Sequence, residues 1–221
     1  MTQGSRPSKK ETRAAKREEA RKARIEAQKR AARAKKMRNY GILALLAIVV
    51  IAGIVFLFSQ RSRSAEAVEK ARIEAGCSDI TEHDEEGSGH IEATETVEYE
   101  TNPPSSGDHR GNTAPWGPFP DRVDDEILVH NLEHGGVVIH YRAEDLSEGD
   151  IRALEELVES YPDPGSGSGV ISNPNPDIPQ PIGMASWAHT QTCERFNIVV
   201  IKAFIEERCG KGPEKFPLGC A

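Results

Sequence analysis

Two imidazoles and a carboxylate fall within five residues at His130-Asn131-Leu132-Glu133-His134, and Gly135-Gly136 follows before the apolar run Val137-Val138-Ile139-His140-Tyr141. On a helical turn His130 and His134 would be i,i+4 neighbours on one face. Two imidazoles so placed can hold one transition-metal ion. The same five residues match H-x-x-E-H, the inverted zinc-peptidase signature in which the Glu is the general base. That signature needs both histidines inside a stable helix, and here a Gly pair follows at once; Gly costs about 1 kcal/mol against Ala in a helix interior. A helix ending at His134 would be short, with Gly135 as its C-terminal cap. The run Val137–Tyr141 reads as a strand. The plain alternative to a ligand pair is a hydrogen-bonded turn that opens that strand.

A third imidazole is offered by Asn102-Pro103-Pro104-Ser105-Ser106-Gly107-Asp108-His109. Consecutive prolines have fixed φ and no N–H, so the loop is rigid and extended. Gly107 permits a sharp turn that would present His109. By itself His109 reads as a loop histidine; brought near His130 and His134 it becomes a third ligand. Met184 and His189 would add a soft and an intermediate donor and favour copper over zinc, although a lone Met more often fills a gap in the core. Trp116 and Phe119, in a Pro- and Gly-rich turn, read as an apolar cover over the site.

The elements that must position these groups follow from charge and periodicity. Residues 1–40 hold 15 Lys and Arg against 4 Glu, a balance of +11, whereas residues 41–221 carry −18. The chain is thus a basic tail on an acidic body. Residues 9–36 are nearly all strong helix formers without an apolar stripe, a helix solvated on every side. Residues 41–58 carry no charge, close to the roughly 20 residues that cross a hydrocarbon core. The basic excess before them predicts a single-pass membrane anchor with a cytoplasmic N-terminus. The boundaries expected are a tail over 1–39, a transmembrane helix over 40–59, a stalk over 60–75 and an exported globular domain over 76–221.

All four cysteines, Cys77, Cys193, Cys209 and Cys220, lie beyond the apolar run, which suggests two disulfides in an oxidising compartment. Three pairings are possible; closeness in sequence favours Cys209 with Cys220, leaving Cys77 with Cys193. In the acidic body, Thr94 to Tyr99 reads as a strand. Ser147 and Asp150 form a capping box for an amphipathic helix over about 148–160, stopped by Pro162 and Pro164. Val170-Ile171 and Met184 to Ala188 read as strands, and a last helix spans about 197–209 with Ile198, Ile201, Phe204 and Ile205 on one face. The fold class expected is α+β: a small sheet with helices on one face, preceded by the basic helical tail and one transmembrane helix.

The Asn102–His109 loop and the run from Leu128 to Val138 resemble the bacterial family named domain of unknown function 3105. Its pattern is an N-P-P-T-S-G-P-H loop and an H-N-L-E-H-G turn; here Ser105 stands for Thr and Asp108 for the second Pro. Gly76-Cys77 and Gly89-His90-Ile91 resemble the family's entry motifs. Ala185-Ser186-Trp187-Ala188 matches an Ala-Trp-Gly segment, with Ala188 in place of Gly. The resemblance covers about residues 76–215 and implies a short N-terminal region, one membrane span and an exported domain. By match to its motifs it adds His90, so that His90, His109, His130 and His134 form one expected metal site.

The function expected is a membrane-anchored domain with a His-rich site for a transition metal, copper or zinc. The alternatives are a metal-dependent hydrolase of the inverted-zincin type, for which Glu144, Glu155 and Glu156 are the available further ligands, and an envelope interaction module with a structural His cluster. The partners implied are the membrane and a metal ion. The acidic body has no logic for holding phosphate backbones, and the basic tail has no aromatic residue before Tyr40, so no nucleic-acid partner is expected.

Overall fold

A computed structural model of the chain describes residues 9–161 and 169–214, and it divides into two compact units, Met1–Arg63 and Ser64–Ala221. Pro162, Pro164 and Cys220, which carried expectations above, lie outside the described residues.

The first helix, α1, runs unbroken over Lys9–Glu74, 66 residues. Its basic turns are solvated, with one i,i+4 pair between Lys22 and Glu18 at 2.9 Å. The expectation of a separate transmembrane helix over 40–59 is corrected. Those residues are the middle of α1, with no cap or turn to bound them, and the charged turns on either side belong to the same helix. Among the described residues no helix is long and apolar enough to cross a membrane. The single-pass anchor, the cytoplasmic N-terminus and the extracytoplasmic placement argued from it fall together.

In the second unit the chain continues as β1 (Thr81–Glu82), β2 (His90–Ile91), β3 (His109–Arg110), β4 (Gly117–Pro118), α2 (Asp125–Glu133), β5 (Val137–Tyr141), a 3-10 turn (Ala143–Asp145), α3 (Glu148–Glu159), β6 (Val170–Pro174), β7 (Ile182–Ser186), β8 (His189–Cys193) and α4 (Ile198–Arg208). Six strands form one mixed sheet in the order β1-β8-β7-β5-β6-β4; β5, β6 and β4 are mutually parallel and the remaining pairs antiparallel. β2 and β3 pair separately and in parallel, with His90 opposite His109.

All five residues of β5 are buried, which requires cover on both faces of the sheet. Val137, Ile139 and Tyr141 point to a core with Leu154 and Val158 of α3, Phe204 and Ile205 of α4, and Ala71 and Ala75 at the end of α1. Val138 points the other way, with Ile171, Ala185 and Trp187, against Leu128, Val129 and Leu132 of α2. Helices therefore lie on both faces, and the expected one-sided arrangement is corrected to a mixed α/β sheet. The apolar run of β5, buried at every residue, is what a strand covered on both faces requires.

Several local readings hold. α3 begins with the Ser147–Asp150 capping box. Asn197 caps α4 by accepting from the Val199 N–H. α2 ends at Glu133 with His134 as its C-cap, and Gly135 follows at φ +81°. Cys77 and Cys193 are disulfide-bonded across 116 residues of sequence. In the chain-entropy account a loop of that length restrains the unfolded state by about 4–5 kcal/mol. Cys209 is also in a disulfide. Thr94 to Tyr99 is not a strand: its Val97 N–H donates to the Glu126 carboxylate at 3.2 Å rather than to a neighbouring strand.

β7 ends two residues earlier than expected. Trp187 and Ala188 make the turn into β8, and Ala188 has φ +54°. Ala188 occupies the position where the family pattern has Gly, and an L-residue in that region is strained by about 1–2 kcal/mol. Its N–H donates to Ser105 O and its carbonyl accepts from the His83 N–H, both at 2.8 Å, so the surroundings hold the turn in place. Ala188→Gly is expected to change stability by no more than about 1 kcal/mol, because relief of strain offsets a lost methyl contact. Ala188→Val, β-branched at positive φ, should destabilise by about 2 kcal/mol or more. Urea midpoints of the two variants check this; equal midpoints would refute it.

Candidate metal centre

Helix α2 carries the first ligands. Asp125 and Glu126 lie in its first turn, where acidic groups suit the positive end of the helix dipole. Leu128, Val129 and Leu132 bury its inner face. Asn131, fully buried, locks the helix to the preceding loop: it accepts from the Ala114 N–H at 2.8 Å and donates to Ala114 O at 2.9 Å. His130 and Glu133, one turn apart, are thereby held at 7% and 8% exposure.

The Pro-rich loop delivers His109. Its residues 103–107 are buried, and the Asn102–Pro103 bond is cis. Gly107, at φ +125°, turns the chain where a Cβ would meet the Tyr99 ring at 2.9 Å. β3 then pairs with β2: the His109 N–H donates to Gly89 O at 2.8 Å, and the Asp108 carboxylate accepts from the Gly89 N–H at 2.8 Å. Asp108, which replaces the family's Pro, thus ties the segment bearing His90 to the loop bearing His109.

Three rings meet. Their centroids are 5.1 Å apart for His90 and His109, 5.0 Å for His90 and His130, and 4.8 Å for His109 and His130. His90, His109, His130 and Glu133 offer four ligand atoms, all within 4.8 Å of one another, and could hold a metal ion. His134 lies beside them, its ring 4.6 Å from that of His130. It falls in a second group with Glu133 and Glu214, and its Nε2 is 3.1 Å from the Glu214 carboxylate. The i,i+4 histidines therefore share Glu133 but fall in different groups, His134 alone with Glu214. Sequence reasoning had Glu133 only as the base of a peptidase motif. The signal that could have marked it as a ligand is its spacing, three residues after His130 on the same helix face.

The buried imidazoles are prepared as ligands. His109 Nδ1 is 2.8 Å from Gly107 O and His130 Nδ1 is 2.9 Å from Arg110 O. A carbonyl can only accept, so a neutral ring carries its proton on Nδ1 and turns a bare Nε2 to the cluster, the arrangement that orients metal-binding histidines. His109 Nε2 is fully buried without a hydrogen-bonding partner, although it lies 3.2 Å from Glu133 Oε2. At that distance the contact makes no hydrogen bond, so in the neutral ring the Nε2 lone pair and a lone pair of Oε2 face one point. A tetrahedral ion with bonds of about 2.0–2.1 Å sets its ligands about 3.4 Å apart, close to that separation. The residues present fit a metal on this count. Burial first, then the neighbouring His109 and His134, lowers the His130 pKa from 6.5 to about 4, which keeps its ring neutral at pH 7.

Other expected donors lie elsewhere. Met184 is fully buried in the α3–α4 core. His189 Nδ1 is bonded to Trp187 O at 2.9 Å. The aromatic ring against the cluster is Trp187, edge-on to His109 at 6.4 Å; Trp116 instead fills the space beside Gly136 and Gly169. His140 is a satisfied core histidine: its Nδ1 faces the side-chain amides of Asn173 and Asn175 at 3.3 and 3.4 Å, and burial lowers its pKa to about 3.

Comparison with known families finds one match, to the family described as protein of unknown function (DUF3105), over residues 90–217. No curated protein and no solved structure matches the chain.

His130 and His140 bind protons more weakly folded than unfolded. Between pH 6.5 and about 3 the unfolded chain therefore carries the more protons, and stability rises with pH through that window. The metal-free protein should be most stable above pH 6.5 and lose on the order of a few kcal/mol as pH falls through about 4. Urea midpoints at pH 7 and 4.5 check this. His130→Gln should shrink the difference, and an unchanged difference would remove His130 as a source and leave His140 and the carboxylates.

Proposed function

The chain belongs to the DUF3105 family, whose function is unknown, and on that premise we propose that His90, His109, His130 and Glu133 hold a single transition-metal ion, zinc or copper(II). The carrying observation is the buried, unbonded His109 Nε2 aimed at a buried carboxylate oxygen 3.2 Å away. Two acceptors so placed repel unless a cation stands between them. Three nitrogens and one oxygen suit zinc or copper(II). A copper(I) site would want sulfur, and Met184 lies in the other core.

His109 and His130 would be the fixed ligands, each backed by a carbonyl. His90 is exposed and would be the ligand through which the ion enters and leaves. That favours a domain that takes up and hands on a metal over a closed structural site. The hydrolase reading requires Glu133 off the metal with His130 and His134 on it. The grouping of Glu133 with three imidazoles does not favour it.

Zinc or copper(II) titration of the purified chain, followed by calorimetry, tests this. His109→Ala and His130→Ala should abolish tight binding. His90→Ala should keep a weaker site, its affinity reduced by at least the roughly 10–100-fold that loss of a group behind a ligand costs. Metal at 100 times its Kd should add about 2.7 kcal/mol to the stability of the wild-type protein and none to His109→Ala. Binding unchanged in both His109→Ala and His130→Ala would sink the proposal.

A further inference from the structure

We propose that Glu133 bridges two cations: the ion of the three-histidine cluster and a second divalent ion held by Glu133, His134 and Glu214. This rests on the single-ion reading above and extends it to a carboxylate-bridged pair. The second group meets the same geometric condition as the first, three ligand atoms within 4.8 Å of one another. His134 Nε2 and Glu214 Oε2 are 3.1 Å apart, again near the ligand edge of a tetrahedral ion.

An ordinary His134–Glu214 ion pair accounts for two of the three groups. It leaves Glu133 unaccounted for. That side chain is nine-tenths buried, and its Oε2 lies 3.2 Å from His109 Nε2, on the side of the three-histidine cluster. It also stands in the last turn of α2, at the negative end of the helix dipole, where a carboxylate is disfavoured and a cation favoured. One ion among the imidazoles meets one oxygen of Glu133; the other oxygen is available to a neighbour.

Glu214 is brought there by a built segment. The Gly210 N–H donates to Gly135 O at 2.8 Å, and the Glu214 N–H donates to Glu133 O at 3.2 Å. Between them the chain lies so close to the end of α2 that a Cβ on Gly212 would sit 2.3 Å from Glu133 O and from Gly135 N. The segment thereby presents a half-exposed carboxylate to His134 from the solvent side. Glu133 and Glu214 together bring two negative charges to the pair of ions. A shared carboxylate sets two such ions about 3.5–4 Å apart, the spacing of two-metal sites.

Zinc titration of the whole chain separates the two readings. Wild type is expected to bind two equivalents, Glu214→Gln one, and Glu133→Gln fewer than one tightly. With copper(II) as probe, wild type at two equivalents should give the electron-spin spectrum of a coupled pair, and Glu214→Gln that of an isolated ion. Glu214 is half exposed, so its amide variant keeps the fold; circular dichroism of each variant checks this. Wild type that saturates at one equivalent, lost in His109→Ala and kept in Glu214→Gln, overturns the bridge and leaves the single site standing. Two equivalents untouched by Glu214→Gln also overturn it. No bound metal overturns both.

Discussion

Glu133 Oε2 and His109 Nε2 stand 3.2 Å apart without a hydrogen bond between them, beside Trp187 and the buried Pro-rich loop. Burying a carboxylate is unfavourable by several kcal/mol unless a donor or a cation meets it. Much of the second unit can be read as the apparatus that keeps those atoms together. Asn131 stops α2 from sliding, Gly107 O and Arg110 O fix two ring orientations, and Asp108 holds the His90 segment beside His109. A cation among these acceptors, as proposed, turns the cost of burial into the favourable term.

The sheet makes this possible because it is covered on both faces. α3 and α4 fill one core and α2 the other, so α2 is pressed against β5, β6 and β7 by apolar contact and needs no help from its polar end. That end is free to carry chemistry. The same division explains why histidines of one chain behave differently. His140, on β5, meets two side-chain amides and is a structural group. His83 is bonded to Thr190 at 2.7 Å. Only the rings that emerge at the α2–β3 junction face each other.

Much of this could be read from residue order where the determinants are local. The capping box of α3, the Gly after α2 and the strand Val137–Tyr141 depend on neighbours a few residues apart, and each was found where expected. Readings that failed depended on context. The apolar stretch after Tyr40 looked like a bounded span, yet it runs inside one long charged helix, and no described helix meets the requirement for crossing a membrane. Helices on one face was inferred from the order strand, helix, strand, and a strand buried on both sides defeated it.

By its residue order alone the chain determined its helix ends, the rigid loop before His109, the acidic balance of its larger part and the types of side chain available for a metal. Tertiary structure decided which of seven histidines meet, and that Glu133 joins them while His134 turns to Glu214. The reason is physical. A cap or a turn is settled by bonds that close within one turn of chain, but a ligand set is settled by which distant segments share a sheet edge. Here the parallel pairing of His90 with His109 and the seating of α2 on the second core set that distance.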